Sequence, residues 1–69
     1  MNDISEKFGK KVKEIRLKKN MTQAELAKVL GVHPTYISSI ERGTRNMALK
    51  NIERLAQALH VSIEELIKK

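Results

Sequence analysis

The stretch TQAELAKVLGVHPTYISSIERG, from Thr22 to Gly43, constrains the fold more than any other part of the chain. It carries two helix-start signals with a glycine between them. Thr22-x-x-Glu25 is a capping box: the threonine hydroxyl accepts from a first-turn N–H while the glutamate reaches back to the cap. Leu26, Ala27 and Leu30 then supply one apolar stripe. Gly31 suits the residue after a helix end, where the turn needs positive φ. A second helix starts almost at once. Pro34 fits its first position, where a missing N–H costs nothing. That makes His33 the N-cap, an unusual residue there, and Gly43 closes the helix. The chain must therefore make a tight corner between two short helices.

The remaining sequence gives three more helices. Asp3 to Asn20 reads as helix one, opened by the capping box Asp3-x-x-Glu6. Phe8, Val12 and Ile15 form its stripe at i, i+4 and i+7. Lys18 and Lys19 sit where the helix dipole favours cations, and Asn20 can stop the helix in the left-handed region. Thr44 to Met47 is a polar loop. Ala48 to Leu59 is helix four, with Leu49, Ile52, Leu55, Ala56 and Leu59 on one face. Ser62-x-x-Glu65 opens a short helix five with apolar Ile63, Leu66 and Ile67. No strand pattern competes. The expected fold is all-α, five helices in one domain spanning 1–69.

A chain of 69 residues buries only about 60% of its unfolded surface, so it needs compact packing or oligomerisation. It has no cysteine and two distant histidines, which exclude disulfides and thiolate metal sites. No cofactor or metal is expected. No run approaches the ~18 apolar residues of a membrane span. The N-terminus MNDISEKFG has no apolar segment of a secretory signal, and a cytoplasmic protein without membrane contact is expected. Lys and Arg number 14 against 8 Asp and Glu, a net charge of +6. Such a balance favours a polyanion partner, or merely keeps a small protein soluble. Phe8 and Tyr36 alone cannot provide the stacking platforms that single-strand and RNA-binding folds use.

The helix after Pro34 decides between those readings. At 100° per residue, His33, Ile37 and Ile40 cluster on one side with Glu41 at the edge. Thr35, Ser38, Ser39 and Arg42 lie opposite, and Tyr36 lies on the flank. A merely solvated face carries long charged helix formers. Short hydroxyls suit a helix pressed against a surface rich in donors and acceptors. The floor of the DNA major groove is such a surface, and arginine suits guanine there. The competing reading is a plain corner in a helical bundle.

TQAELAKVLGV followed by YISSIERG resembles the lambda-repressor-like, Cro-type (XRE) helix-turn-helix family, over nearly the whole chain. Within it, PTYISSIERGTRN is similar to the recognition segment of controller proteins of restriction–modification systems. The resemblance implies a homodimer binding double-stranded DNA and regulating transcription, with no small-molecule ligand. It places Gln23 at a phosphate. It places Thr35, Tyr36 and Ser39 in the groove, Ser38 and Arg42 at its margin, and Arg45 and Asn46 near the backbone or minor groove. It implies that Arg16 and Glu41 meet as a partly buried ion pair locking helix three to helix one. Two positions depart from the family. Pro34 stands where controllers often have a basic residue, so it cannot donate to a base. His60 stands where glycine usually follows helix four.

Other classes fit less well. An antitoxin-like or protein-interaction module of the same fold is the alternative, and an exposed apolar patch on helix five without symmetric self-contact would favour it. An enzyme is not expected: no acid orients His33 and no glycine-rich oxyanion loop is present.

Overall fold

A computed structural model describes residues 3–67. Among them the helices are α1 (Asp3–Lys18), α2 (Gln23–Leu30), α3 (Pro34–Arg42), α4 (Leu49–Leu59) and α5 (Ile63–Ile67). The expected capping box of Asp3 lies outside the described side chains.

Helix ends follow the local chemistry. Thr22 caps α2 in both directions, its Oγ1 accepting from the Glu25 N–H at 3.0 Å and its N–H donating to the Glu25 carboxylate at 2.8 Å. At the start of α5, Ser62 Oγ accepts from the Glu65 N–H at 3.1 Å. Among the described residues, four helices end on a left-handed residue: Asn20 after α1, Gly31 after α2, Gly43 after α3 and His60 after α4. In each, the following N–H returns to a carbonyl five residues back, as with Val32 to Ala27 and Val61 to Ala56. That pattern satisfies carbonyls the helix end would leave unpaired. Helix α1 accordingly stops at Lys18, two residues short of the expected end, because Lys19 and Asn20 form the turn itself.

The core is Val12, Ile15, Leu26, Ala27, Ile37, Ile40, Leu55, Ala56, Ala58, Leu59 and Leu66, drawn from all five helices. Each large side chain fully removed from water contributes about 1.5–3 kcal/mol before entropy is charged against it. Helix α3 packs on α1 and α2, while α5 closes against α1 and α4.

Two expectations change, for Leu49 and His33. Leu49 shares the apolar stripe of α4 by angle but, as the first residue of the helix, is 73% exposed, whereas Leu55 and Leu59 further along are fully buried. On α5, Leu66 is buried while Ile67, one step around the helix, is 56% exposed. His33 does not join Ile37 and Ile40 in the core. As N-cap it has extended backbone (φ −74°, ψ 146°), so the helical wheel does not apply to it, and it is exposed.

Gly9, inside α1, sits where that helix crosses the end of α3. A Cβ built there would lie 2.4 Å from the Ile40 carbonyl oxygen and 2.6 Å from that of Glu41. Gly43 makes the matching approach from α3: its Cβ would meet the Glu6 backbone at 2.7 Å. The two glycines let the helices touch backbone to backbone.

Candidate nucleic-acid interface

Helix α3 buries Ile37 and Ile40 and turns its other side outward. Its N-terminus is held by His33, whose Nδ1 accepts from the Thr35 N–H at 3.1 Å. Nδ1 must be unprotonated to do so, which leaves the neutral ring's proton on Nε2. The Thr35 hydroxyl lies 3.0 Å from the same nitrogen. Thr35 and Arg42 are exposed, while Tyr36, Ser38 and Ser39 are half-buried on the same side of the helix.

The two serines are tied into their surroundings. Ser38 Oγ donates to the Thr35 carbonyl at 3.4 Å and accepts from Arg42 Nη1 at 2.8 Å. Ser39 Oγ donates to the Tyr36 carbonyl at 2.8 Å and accepts from Arg45 Nε at 2.9 Å. The Arg45 guanidinium also lies over the Tyr36 ring, 4.6 Å from its centroid. The loop after Gly43 thus folds back onto α3, helped by Thr44, whose N–H and hydroxyl both donate to the Ser39 carbonyl at 3.1 Å. Asn46 is exposed in that loop.

Beneath this surface lies one buried ionic network. Arg16 meets Glu41 through two parallel bonds, Nε to Oε2 at 2.6 Å and Nη2 to Oε1 at 3.1 Å. The side chains are 7% and 5% exposed. Arg16 Nη1 also donates to the Met21 carbonyl at 2.7 Å. The bidentate fork and the third bond compensate for desolvation. Gln23 joins the network, its Nε2 donating to Glu41 Oε1 at 3.0 Å. The first residue of α2 is therefore fixed by the same carboxylate that locks α3 to α1. The N–H groups of Gln23 and Ala24, in the first turn of α2, have no helical acceptor of their own. They form a donor pair of the kind that takes a phosphate.

Gln23, Thr35, Tyr36, Ser38, Ser39, Arg42, Arg45 and Asn46 come from the start of α2, the outer side of α3 and the loop that follows. Arg16 and Glu41 lie under them. Sequence reasoning missed Gly9, the Gln23–Glu41 bond and the clasp between Arg45 and Ser39. The i, i+4 spacing of Ser38 and Arg42 was readable, but the Arg45 contact depends on a loop path that no periodicity reports.

A family model described as Helix-turn-helix matches residues 12–66. The chain belongs to that helix-turn-helix family. It is similar to the control protein C.BamHI of Bacillus amyloliquefaciens, 52% identical over 96% of this chain and 83% of the relative. It is also similar to the solved restriction–modification controller protein C.AhdI from Aeromonas hydrophila. That match has 41% identity and a TM-score of 0.84 over 88% of this chain and 92% of the other. The solved controller protein C.Esp1396I matches at 40% identity and a TM-score of 0.86, over 99% of this chain and 92% of the other. The all-α, five-helix architecture is that of these controllers, and as a member of this group the chain is a DNA-binding transcription regulator rather than an enzyme. Among the described residues, no helix is long and apolar enough to cross a membrane.

Proposed function

We propose that this chain is a cytoplasmic restriction–modification controller, acting as one domain and as a homodimer on a two-fold symmetric operator. Helix α3 lies in the major groove with Thr35, Tyr36 and Ser39 toward the bases and Ser38 and Arg42 at the margin. Gln23 and the first N–H groups of α2 take a phosphate, and Arg45 and Asn46 approach the duplex from the loop. The observation that carries this reading is the contrast between the two sides of α3. One is sealed into the core at Ile37 and Ile40, both 1% exposed or less. The other presents short hydroxyls and Arg42, with Arg45 folded against it from the following loop. A groove floor demands that combination, and a solvated face does not.

A two-fold dimer places two α3 helices on half-sites about 34 Å apart, adding the specificity that one short helix lacks. Selection of bound duplexes from a random pool tests DNA binding and symmetry together. The expected result is a palindromic motif with half-sites one helical turn, or a multiple of it, apart. Affinity should also fall steeply with salt, log K changing by roughly −0.9 per neutralised phosphate for each log unit of salt. Enrichment of no duplex, with capture of a protein partner instead, would favour the interaction-module alternative.

A further inference from the structure

We propose that Ser39 and Tyr36 act as positioning residues for Arg45, and that Arg45, rather than Ser39, reads a guanine in the operator half-site. This rests on the DNA-binding reading above and revises one part of it: Ser39 and Tyr36, placed toward the bases there, act through Arg45.

The chemistry of Ser39 points this way. A serine hydroxyl has one proton to donate. That proton goes to the Tyr36 carbonyl at 2.8 Å, and a lone pair receives Arg45 Nε at 2.9 Å. No donor remains for a base unless the backbone bond breaks. Arg45 is constrained from two directions. Its Nε edge is tied to Ser39, and its face lies 4.6 Å from the Tyr36 ring centroid. One contact fixes the position of the guanidinium and the other its plane. The Nη edge has no protein partner among the described residues. A planar, oriented pair of N–H donors matches the O6 and N7 acceptors of guanine. A phosphate, which accepts from many directions, would not require that fixing.

Ser38 and Arg42 provide an internal contrast. Their bond, 2.8 Å, joins two residues one turn apart on the same helix, and Ser38 holds the Thr35 carbonyl only loosely at 3.4 Å. Nothing stacks on Arg42 among the ring contacts of the described residues. Ser39 alone has its carbonyl doubly engaged by Thr44, so the loop carrying Arg45 is fastened to the residue that aims it.

The test is a double-mutant cycle on the duplex selected from the random pool, read by fluorescence anisotropy at fixed salt. Each guanine of the half-site is replaced in turn by 7-deazaguanine, which lacks N7. Arg45→Ala should lose roughly tenfold affinity and become indifferent to one such replacement. Ser39→Ala, a substitution that favours helix, should weaken preference at that same base. The Ser39→Ala/Arg45→Ala double variant should bind within about twofold of Arg45→Ala alone, because the serine acts through the arginine. Tyr36→Leu, which removes the ring under the Arg45 guanidinium, should weaken preference at that same base. Multiplicative losses in the double variant would overturn the proposal, as would Ser39→Ala relaxing a different base. So would Arg45→Ala weakening every duplex equally, the mark of a phosphate contact. If the wild-type protein selects no duplex, the DNA-binding reading itself fails, which the cycle's own failure would not imply.

Discussion

Replacing Gly9 by alanine should destabilise the protein, although the substitution improves helix propensity. Alanine in a helix interior is favoured over glycine by about 1 kcal/mol. At this position the new Cβ would lie 2.4 Å from the Ile40 carbonyl oxygen, 2.6 Å from that of Glu41 and 2.9 Å from the Glu41 carbonyl carbon. Ordinary contact starts near 3.4 Å, so α1 and the end of α3 must separate by about 1 Å. All three obstacles are backbone atoms, and none can rotate aside. Overpacking costs ~1–3 kcal/mol, and a backbone clash belongs at the upper end. The net loss is then about 2 kcal/mol. For a domain of this size that lowers Tm by roughly 8–16 °C. Thermal melts followed by far-UV circular dichroism, at matched protein concentration because self-association would shift Tm, provide the measurement. A rise of about 4–8 °C, the outcome of propensity acting alone, would refute the close-approach argument.

Two further outcomes are expected. Glu41→Gln strands the buried charge of Arg16 and should cost ~3–5 kcal/mol in urea denaturation. The Arg16→Met/Glu41→Leu double variant, which removes both charges, should recover most of that loss, and equal destabilisation by the two variants would argue against an uncompensated charge as the cause. His60→Gly removes a left-handed side chain at φ 60° and should raise stability by about 1 kcal/mol, seen as a higher Tm; a lower Tm would mean that the imidazole makes packing worth more than its strain.

The sequence made helix starts and stops readable because each is a short-range event. Thr22 and Glu25 are three residues apart, and Gly31 needs only its own φ. The outer side of α3 was readable for the same reason, since a helix repeats regularly between its caps. His33 shows where that regularity ends: it is next to the helix but not in it, and the wheel misplaced it. Leu49 shows a different limit, because the angle gives a direction but not whether another helix extends far enough to cover it. Gly9 looked like an ordinary helix glycine, and its meaning appears only when the carbonyls of Ile40 and Glu41 arrive from elsewhere in the chain. The tie from Gln23 to Glu41 and the fold-back of Arg45 onto Ser39 likewise depend on long-range placement.

The mounting of α3 has a consequence for how such proteins diverge. Gly9, Gly43 and the Arg16–Glu41 bond all grip the helix near its C-terminal end, whereas Pro34 and Thr35 at the other end are exposed. The helix is clamped backbone to backbone at its tail, while its exposed tip is held by the local His33 cap and by Ile37 behind it. Residues at the tip can be exchanged without disturbing the clamp, so a gene duplicate could drift to a new operator while keeping its melting behaviour.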